Sequence, residues 1–219
     1  MSFLVVANFK SNMTGEQLKS WLQAVPPSPN VVIAPSFPHL PYAVSHKLFA
    51  LAAQDVSPFP PGSYTGAVSA RELKELGVSY AIVGHSERRR YFHETDTDVA
   101  SKVRELVSED ITPLLCLDEK DLASQLSVLD AQLAAHCYFC FEPSSNIGGT
   151  AAASSQDITY FKTKLHELYP DAPFLYGGSV TPDNIESLLP LGLDGVLVAT
   201  AALDPASYLS ILAKVSHAT

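Results

Sequence analysis

What this chain has little of already narrows what it can be. Apolar residues never run uninterrupted for the ~18 positions that a membrane-spanning helix needs. Basic residues are scarce: 14 Lys and Arg stand against 23 Asp and Glu, a formal charge of −9. So acidic a chain is a poor partner for nucleic acid or anionic lipid, and a small anionic ligand would need a locally positive site. There are only three cysteines, at 116, 137 and 140, too few for a disulfide framework. Cys137 and Cys140 spell C-x-x-C, but they do so inside "CYFCF", which reads as a strand. Residues three apart on a strand face opposite ways, so buried thiols are a better reading than a redox dithiol. No charged n-region precedes an apolar h-region at the amino end, so no signal peptide is expected and the expected compartment is the cytoplasm. The G-x-G-x-x-G fingerprint of a dinucleotide-binding sheet is also missing after the first apolar run, where "NFKSNM" stands instead.

What is present is a regular alternation. Eight short, nearly continuous apolar runs read as strands: "FLVVANF", "NVVIAP", "FALAAQD", "YAIVGH", "TPLLCLD", "CYFCFE", "FLYGGS" and "GVLVATA". Apolar runs of this kind mark parallel strands covered on both faces. Helix-like segments separate them. Thr14 to Gln17 and Ser69 to Glu72 fit the capping box, and Thr181-Pro182 and Asp204-Pro205 place a cap residue before proline at the first helical position. Repeated β-α units imply right-handed crossovers, and eight of them point to a closed (β/α)8 barrel with eight parallel strands ringed by eight helices. At 219 residues, with no linker or low-complexity stretch, the whole of 1–219 reads as a single domain.

In such barrels chemistry gathers at the carboxyl ends of the strands. Polar residues there are Asn8 and Lys10 after the first strand, His85-Ser86-Glu87 after the fourth and Glu142 after the sixth. Gly177-Gly178-Ser179 follow the seventh strand and Ala199-Thr200 the eighth. Each has a plainer explanation alone: a solvated lysine, an exposed glutamate, a tight turn at the glycines. Their convergence on one rim favours a shared site. A carboxylate there could take a proton from a carbon beside a carbonyl, while an imidazole polarises the oxygen and a lysine supplies positive field. A helix starting after His85 would keep the ring neutral. Backbone N–H groups around Gly177 and Gly178 could hold a phosphate. No His/Cys/carboxylate set with ligand spacing stands on the rim, so neither a metal nor another cofactor is expected.

"NFKSN", "AQD…GSYTG", "GHSERR", "LLCLDE", "FEP…IGG" and "YGGSV…DN" occur in the order and on the strands of triosephosphate isomerases, and from Phe3 to about Leu212 the chain resembles that family. The resemblance implies interconversion of dihydroxyacetone phosphate and glyceraldehyde 3-phosphate through an enediolate, a step of glycolysis and gluconeogenesis. It assigns Glu142 as base, His85 as electrophile, Lys10 as electrostatic clamp and Asn8 as an orienting group. Glu87 would contact Lys10, with Ser86 beside it. Gly148, Ser179, Gly177, Gly178 and the backbone at Ala199 and Thr200 would hold the phosphate. It further implies a homodimer whose third βα loop carries Thr65 toward the partner, with Arg88 and Glu94 near the interface. A phosphate-binding barrel without efficient turnover, or an isomerase of another small phosphorylated carbonyl compound, are the alternatives.

Four departures from the family pattern stand out. Ser144-Ser145 and Ala151-Ala152-Ala153 replace the usual tryptophan and hinge of the lid, which would close less firmly. Ala199-Thr200 replace glycine-rich sequence, and a β-branched threonine resists positive φ, so weaker phosphate binding is expected. Between the fifth and sixth strands roughly a dozen residues are missing, leaving "EKDLASQLSVLDAQLAAH" to form the crossover helix. Ala67 stands where a glutamate commonly pairs with Arg88, so one ionic contact at the interface is expected to be lost. Arg90 is a local novelty with no assigned consequence.

Overall fold

The computed structural model describes residues 3–46, 48–143 and 152–218. Eight parallel strands form a closed barrel in sequence order: β1 (Leu4–Asn8), β2 (Val31–Ala34), β3 (Ala50–Ala53), β4 (Tyr80–Val83), β5 (Thr112–Leu117), β6 (Tyr138–Phe141), β7 (Phe174–Tyr176) and β8 (Gly195–Val198). Closure comes from β8 pairing with β1, Leu4 opposite Gly195 and Ala7 opposite Val198. Around it lie α1 (Gly15–Ala24), α2 (Leu40–His46), α3 (Ala70–Glu75), α4 (Ser86–Tyr91), α5 (Asp96–Ser108), α6 (Glu119–Val128), α7 (Ala131–Ala134), α8 (Ser155–Leu168), α9 (Ile185–Leu188) and α10 (Pro205–Ala218). The expected ring of eight helices is therefore cut into more pieces among the described residues. The crossover between β5 and β6 shows why. Leu129 turns extended, and the Asp130 carboxylate then caps a new helix start by accepting the backbone N–H of Gln132.

Strand alternation sorts the apolar residues into two cores. Leu4, Val6, Val32, Ile82, Leu114, Cys116, Cys140, Leu175 and Leu197 fill the barrel, whereas Val5, Ala7, Leu115, Phe139, Phe141 and Val196 meet the helices. Cys137 belongs to the outer core and Cys140 to the inner one, as the spacing of the two thiols predicts. The same alternation carries Asn8 on from Leu4 and Val6, and Glu142 on from Cys140. Each thus arrives one step above the apolar filling of the barrel.

Caps hold the jacket in place. Thr14 with Gln17 and Ser69 with Glu72 form the capping boxes read from sequence, and Thr95 with Asp98 forms a third at the start of α5. Asp204 caps α10 through the N–H of Ser207, with Pro205 as first helical residue. After Thr181-Pro182 the chain first makes a turn, in which Thr181 O accepts the N–H groups of Asn184 at 3.3 Å and Ile185 at 3.1 Å and Asn184 Oδ1 accepts the Thr181 N–H at 2.9 Å, and α9 starts at Ile185. Trp21 on α1 is buried, packs edge-on to Phe9 at 5.0 Å and donates its indole N–H to Ala202 O at 2.8 Å. A tryptophan so placed is worth about 3–5 kcal/mol against alanine. It locks the first βα unit to the turn that follows β8.

Candidate active site

Lys10 leaves β1 in an unusual backbone conformation, φ +50°, which costs a non-glycine residue ~1–2 kcal/mol. Side chains from two strands hold it there. Asn8 Oδ1 accepts the Lys10 N–H at 3.0 Å, and Gln54, just beyond β3, donates its amide to Lys10 O at 2.8 Å and to Ala34 O at 2.8 Å. The ammonium donates to Glu87 Oε1 at 2.6 Å, as the family resemblance implies.

His85 caps α4. Its Nδ1 accepts the backbone N–H of Glu87 at 3.2 Å, which in the neutral ring leaves the proton on Nε2. That nitrogen faces Glu142, whose Oε2 is 3.5 Å away, too far for a hydrogen bond. Glu142 is 2% exposed, and its Oε2 has no hydrogen-bond partner among the described residues. Burial pushes its carboxyl pKa up from the ordinary 4.5, against the opposing pull of His85 and Lys10. A buried carboxylate with an unsatisfied oxygen and a raised pKa is a poor contributor to stability and a good acceptor of a substrate proton. The hydroxyl of Ser86, the residue after His85, is also buried without a partner among the described residues.

Lys10, His85, Glu87 and Glu142 border one cavity of about 780 Å³, which continues past Gly177 and Ser179 to Ala199 and Thr200. The two glycines there are required for close approach, since neither has positive φ. A Cβ on Gly177 would lie 2.8 Å from Glu142 Cγ, and one on Gly178 would lie 2.3 Å from Tyr176 Oη. The left-handed residue is Ser179, at φ +52°, whose carbonyl accepts the Asn184 amide at 2.8 Å. Thr200 does not take positive φ. It opens a short 3-10 turn, Thr200–Ala202, and the departure falls on Ala199, at φ −107° and ψ −85°.

Gly148, Ser144, Ser145 and Ala151 lie outside the described residues. Beyond that stretch, Ala153 donates its N–H to Tyr176 Oη at 2.7 Å. Thr65 is not brought to the cavity within one chain; it sits on an exposed loop with the Phe59 and Tyr64 rings stacked 4.6 Å apart. Arg88 and Glu94 meet within the chain. Arg88 contacts Glu94 and also Asp55 at 2.8 Å, and the buried Lys102 ammonium reaches both of those carboxylates. Ala67 therefore does not leave Arg88 short of a partner, because Asp55 supplies the second carboxylate.

Gln54, Tyr176 and Asn184 are the positioning residues that sequence reasoning missed. "AQD", "YGGSV" and "DN" contained them, but their partners lie on other strands or turns. Cys116 and Cys140 are a further surprise: strand pairing sets them opposite one another on β5 and β6, beneath Glu142.

A closed (β/α)8 barrel that gathers a buried carboxylate, an imidazole and a lysine at the carboxyl ends of its strands has the architecture of the barrel enzymes. The family model for triosephosphate isomerase matches residues 3–215. The chain is 36% identical to the triosephosphate isomerase of Thermus thermophilus, with 95% of this chain and 97% of that one covered. It is 34% identical to that of Mycoplasmoides gallisepticum, covering 97% and 98%. The crystal structure of triosephosphate isomerase from Bartonella henselae superposes with a TM-score of 0.84 at 28% identity, over 98% of this chain and 99% of that one. The chain belongs to the triosephosphate isomerase family.

Proposed function

We propose that this chain interconverts dihydroxyacetone phosphate and glyceraldehyde 3-phosphate, with Glu142 as the base. The observation that carries the reading is the unpartnered Glu142 Oε2, buried and facing His85 Nε2 across the cavity. Glu142 removes a proton from the carbon beside the carbonyl, and the electron pair moves onto oxygen to give an enediolate. The Nε2 proton of His85 goes to the oxygen that gains charge, and the ring recovers a proton from the neighbouring hydroxyl. Glu142 then returns its proton to the adjacent carbon. Lys10 opposes the charge that develops, and Asn8 orients the oxygens. Glu87 positions both Lys10 and His85, through the ion pair to one and the backbone N–H to the other. The phosphate sits against backbone N–H groups of Gly178, Ser179, Ala199 and Thr200; the Gly177 N–H is already donated to Phe141 O at 2.9 Å, so that glycine contributes space rather than a hydrogen bond. Gly148, assigned to the phosphate by the family resemblance, lies outside the described residues. Positioned general base catalysis of this kind is worth ~10²–10⁴-fold in rate.

The exposed loop with its stacked Phe59 and Tyr64 supports a homodimer in which Thr65 reaches the partner, with Arg88 and Glu94 near the interface and paired to one another. Three free cysteines support a cytoplasmic enzyme, one closed barrel supports a single domain, and the family supports a role in glycolysis and gluconeogenesis. Among the described residues no helix is long and apolar enough to cross a membrane. The reaction run in heavy water tests the mechanism. A carboxylate that shuttles the proton exchanges it with solvent, so product should gain deuterium at the carbon beside the carbonyl. Turnover without solvent deuterium, or none at all, would count against Glu142 as an exchanging base.

A further inference from the structure

We propose that Cys116, Cys140 and Glu142 form a site for a thiophilic divalent cation such as zinc or cadmium, and that filling it withdraws Glu142 from proton transfer. The sulfurs come from paired positions on adjacent strands, Cys116 on β5 opposite Cys140 on β6. Both point into the barrel, and Glu142, two residues after Cys140, points the same way. The two Sγ atoms and a carboxylate oxygen lie within 4.8 Å of one another, and all three side chains are buried. Two thiolates and a carboxylate suit a soft or borderline cation rather than magnesium or calcium.

The geometry needs only a small contraction. Zinc–sulfur bonds of about 2.3 Å at a tetrahedral angle set two thiolates about 3.8 Å apart. The donor atoms already lie within 4.8 Å of one another, so the sulfurs need approach by no more than about 1 Å. Glu142 supplies the third donor, a carboxylate oxygen within the same 4.8 Å of the two sulfurs. The approach is from the cavity. Gly177 lines its floor, and a Cβ there would lie 2.9 Å from Cys140 Sγ, so the absent side chain leaves the thiol close beneath the surface of the site. A cavity water completes the fourth position. On binding, each thiol releases its proton to solvent and gives its lone pair to the cation, with no change of oxidation state.

Cys137 provides a control within the same strand run. It faces the outer core, with its thiol directed at Leu133 O, and is excluded from the site.

The inhibitory half of the proposal rests on Glu142 acting as the base, whereas the binding half does not, so two readouts separate them. The dimeric or monomeric protein as purified is equilibrated with cadmium chloride. The thiolate-to-cadmium charge-transfer band in the ultraviolet is followed beside isomerase activity. Expected is a band saturating at one cadmium per chain, with nearly complete loss of activity in step with it and recovery of both on adding EDTA. Cys140→Ala and the milder Cys140→Ser should bind cadmium far more weakly and resist inhibition relative to their own metal-free rates. Cys137→Ala should behave as the parent. A parent chain without the band, or a band that survives Cys140 substitution and disappears with Cys137, would overturn the site. A saturated band with activity unchanged would overturn the withdrawal of Glu142. A parent chain with the band but no isomerase activity would leave the site standing and reject the reading of its function.

Discussion

Glu142 Oε2 lies 3.5 Å from His85 Nε2 and accepts no hydrogen bond from the described residues. An acceptor held this way is expensive in the resting protein, because a buried unsatisfied polar atom costs about 1–3 kcal/mol. Its oxygen is open to a carbon-bound proton, and the ring nitrogen beside it is set to donate to the oxygen of the same substrate.

Folding stability should reveal that cost. Burial raises the Glu142 pKa in the folded chain above 4.5, so the folded state holds this proton more tightly than the unfolded one. The group's favourable contribution is complete below pH 4.5 and is lost as pH rises through the elevated folded value. Glu142→Gln, neutral throughout, should therefore melt higher than the parent at neutral pH, by roughly 2–4 °C for each kcal/mol recovered. The gap should shrink as the pH falls toward 4.5. Thermal melts of the two proteins across that range check the sign.

Activity should follow the same titration in the opposite sense. The base works only when ionised, so kcat/KM should fall as pH drops through the raised pKa, beginning above the range of an ordinary carboxylate at 4.5. The acid limb of the pH–rate profile in free enzyme reads it directly.

Gly177→Ala should damage turnover more than binding. The added Cβ would sit 2.8 Å from Glu142 Cγ and 3.0 Å from Oε1, so the carboxylate must move. A displacement approaching an ångström costs on the order of 100-fold in rate. Steady-state kinetics should show the loss in kcat with a much smaller change in KM.

Much of this was legible from the chain. Strand cores, two of the three capping boxes and the rim residues follow from alternation and local spacing, because their partners lie a few residues away. What escaped depends on contacts between elements. Gln54 steadies Lys10 from 44 residues away, and Tyr176 meets Ala153 across 23. Nothing local shows that Lys10 and Ser179 take positive φ, since neither is glycine. After Thr181-Pro182 a turn precedes the helix, which starts only at Ile185, and local spacing does not show that delay. Cys116 and Cys140 come together only through the register of β5 with β6.

Gln54→Ala should release the Lys10 backbone. Without the amide at 2.8 Å from its carbonyl, the φ +50° conformation loses a brace, and the ~1–2 kcal/mol strain favours other conformers. Expected is a fall in kcat/KM of about tenfold, the equivalent of ~1.4 kcal/mol. Lys10→Ala kinetics serve as the reference: the double variant should add little to the lysine loss.

The central claim is that Glu142 is the base of a triose-phosphate isomerase, and a coupled assay on glyceraldehyde 3-phosphate tests it most directly. The parent chain should turn over, and Glu142→Gln should lose activity by roughly 10²–10⁴-fold while remaining folded. A parent rate no higher than that of Glu142→Gln would contradict the account.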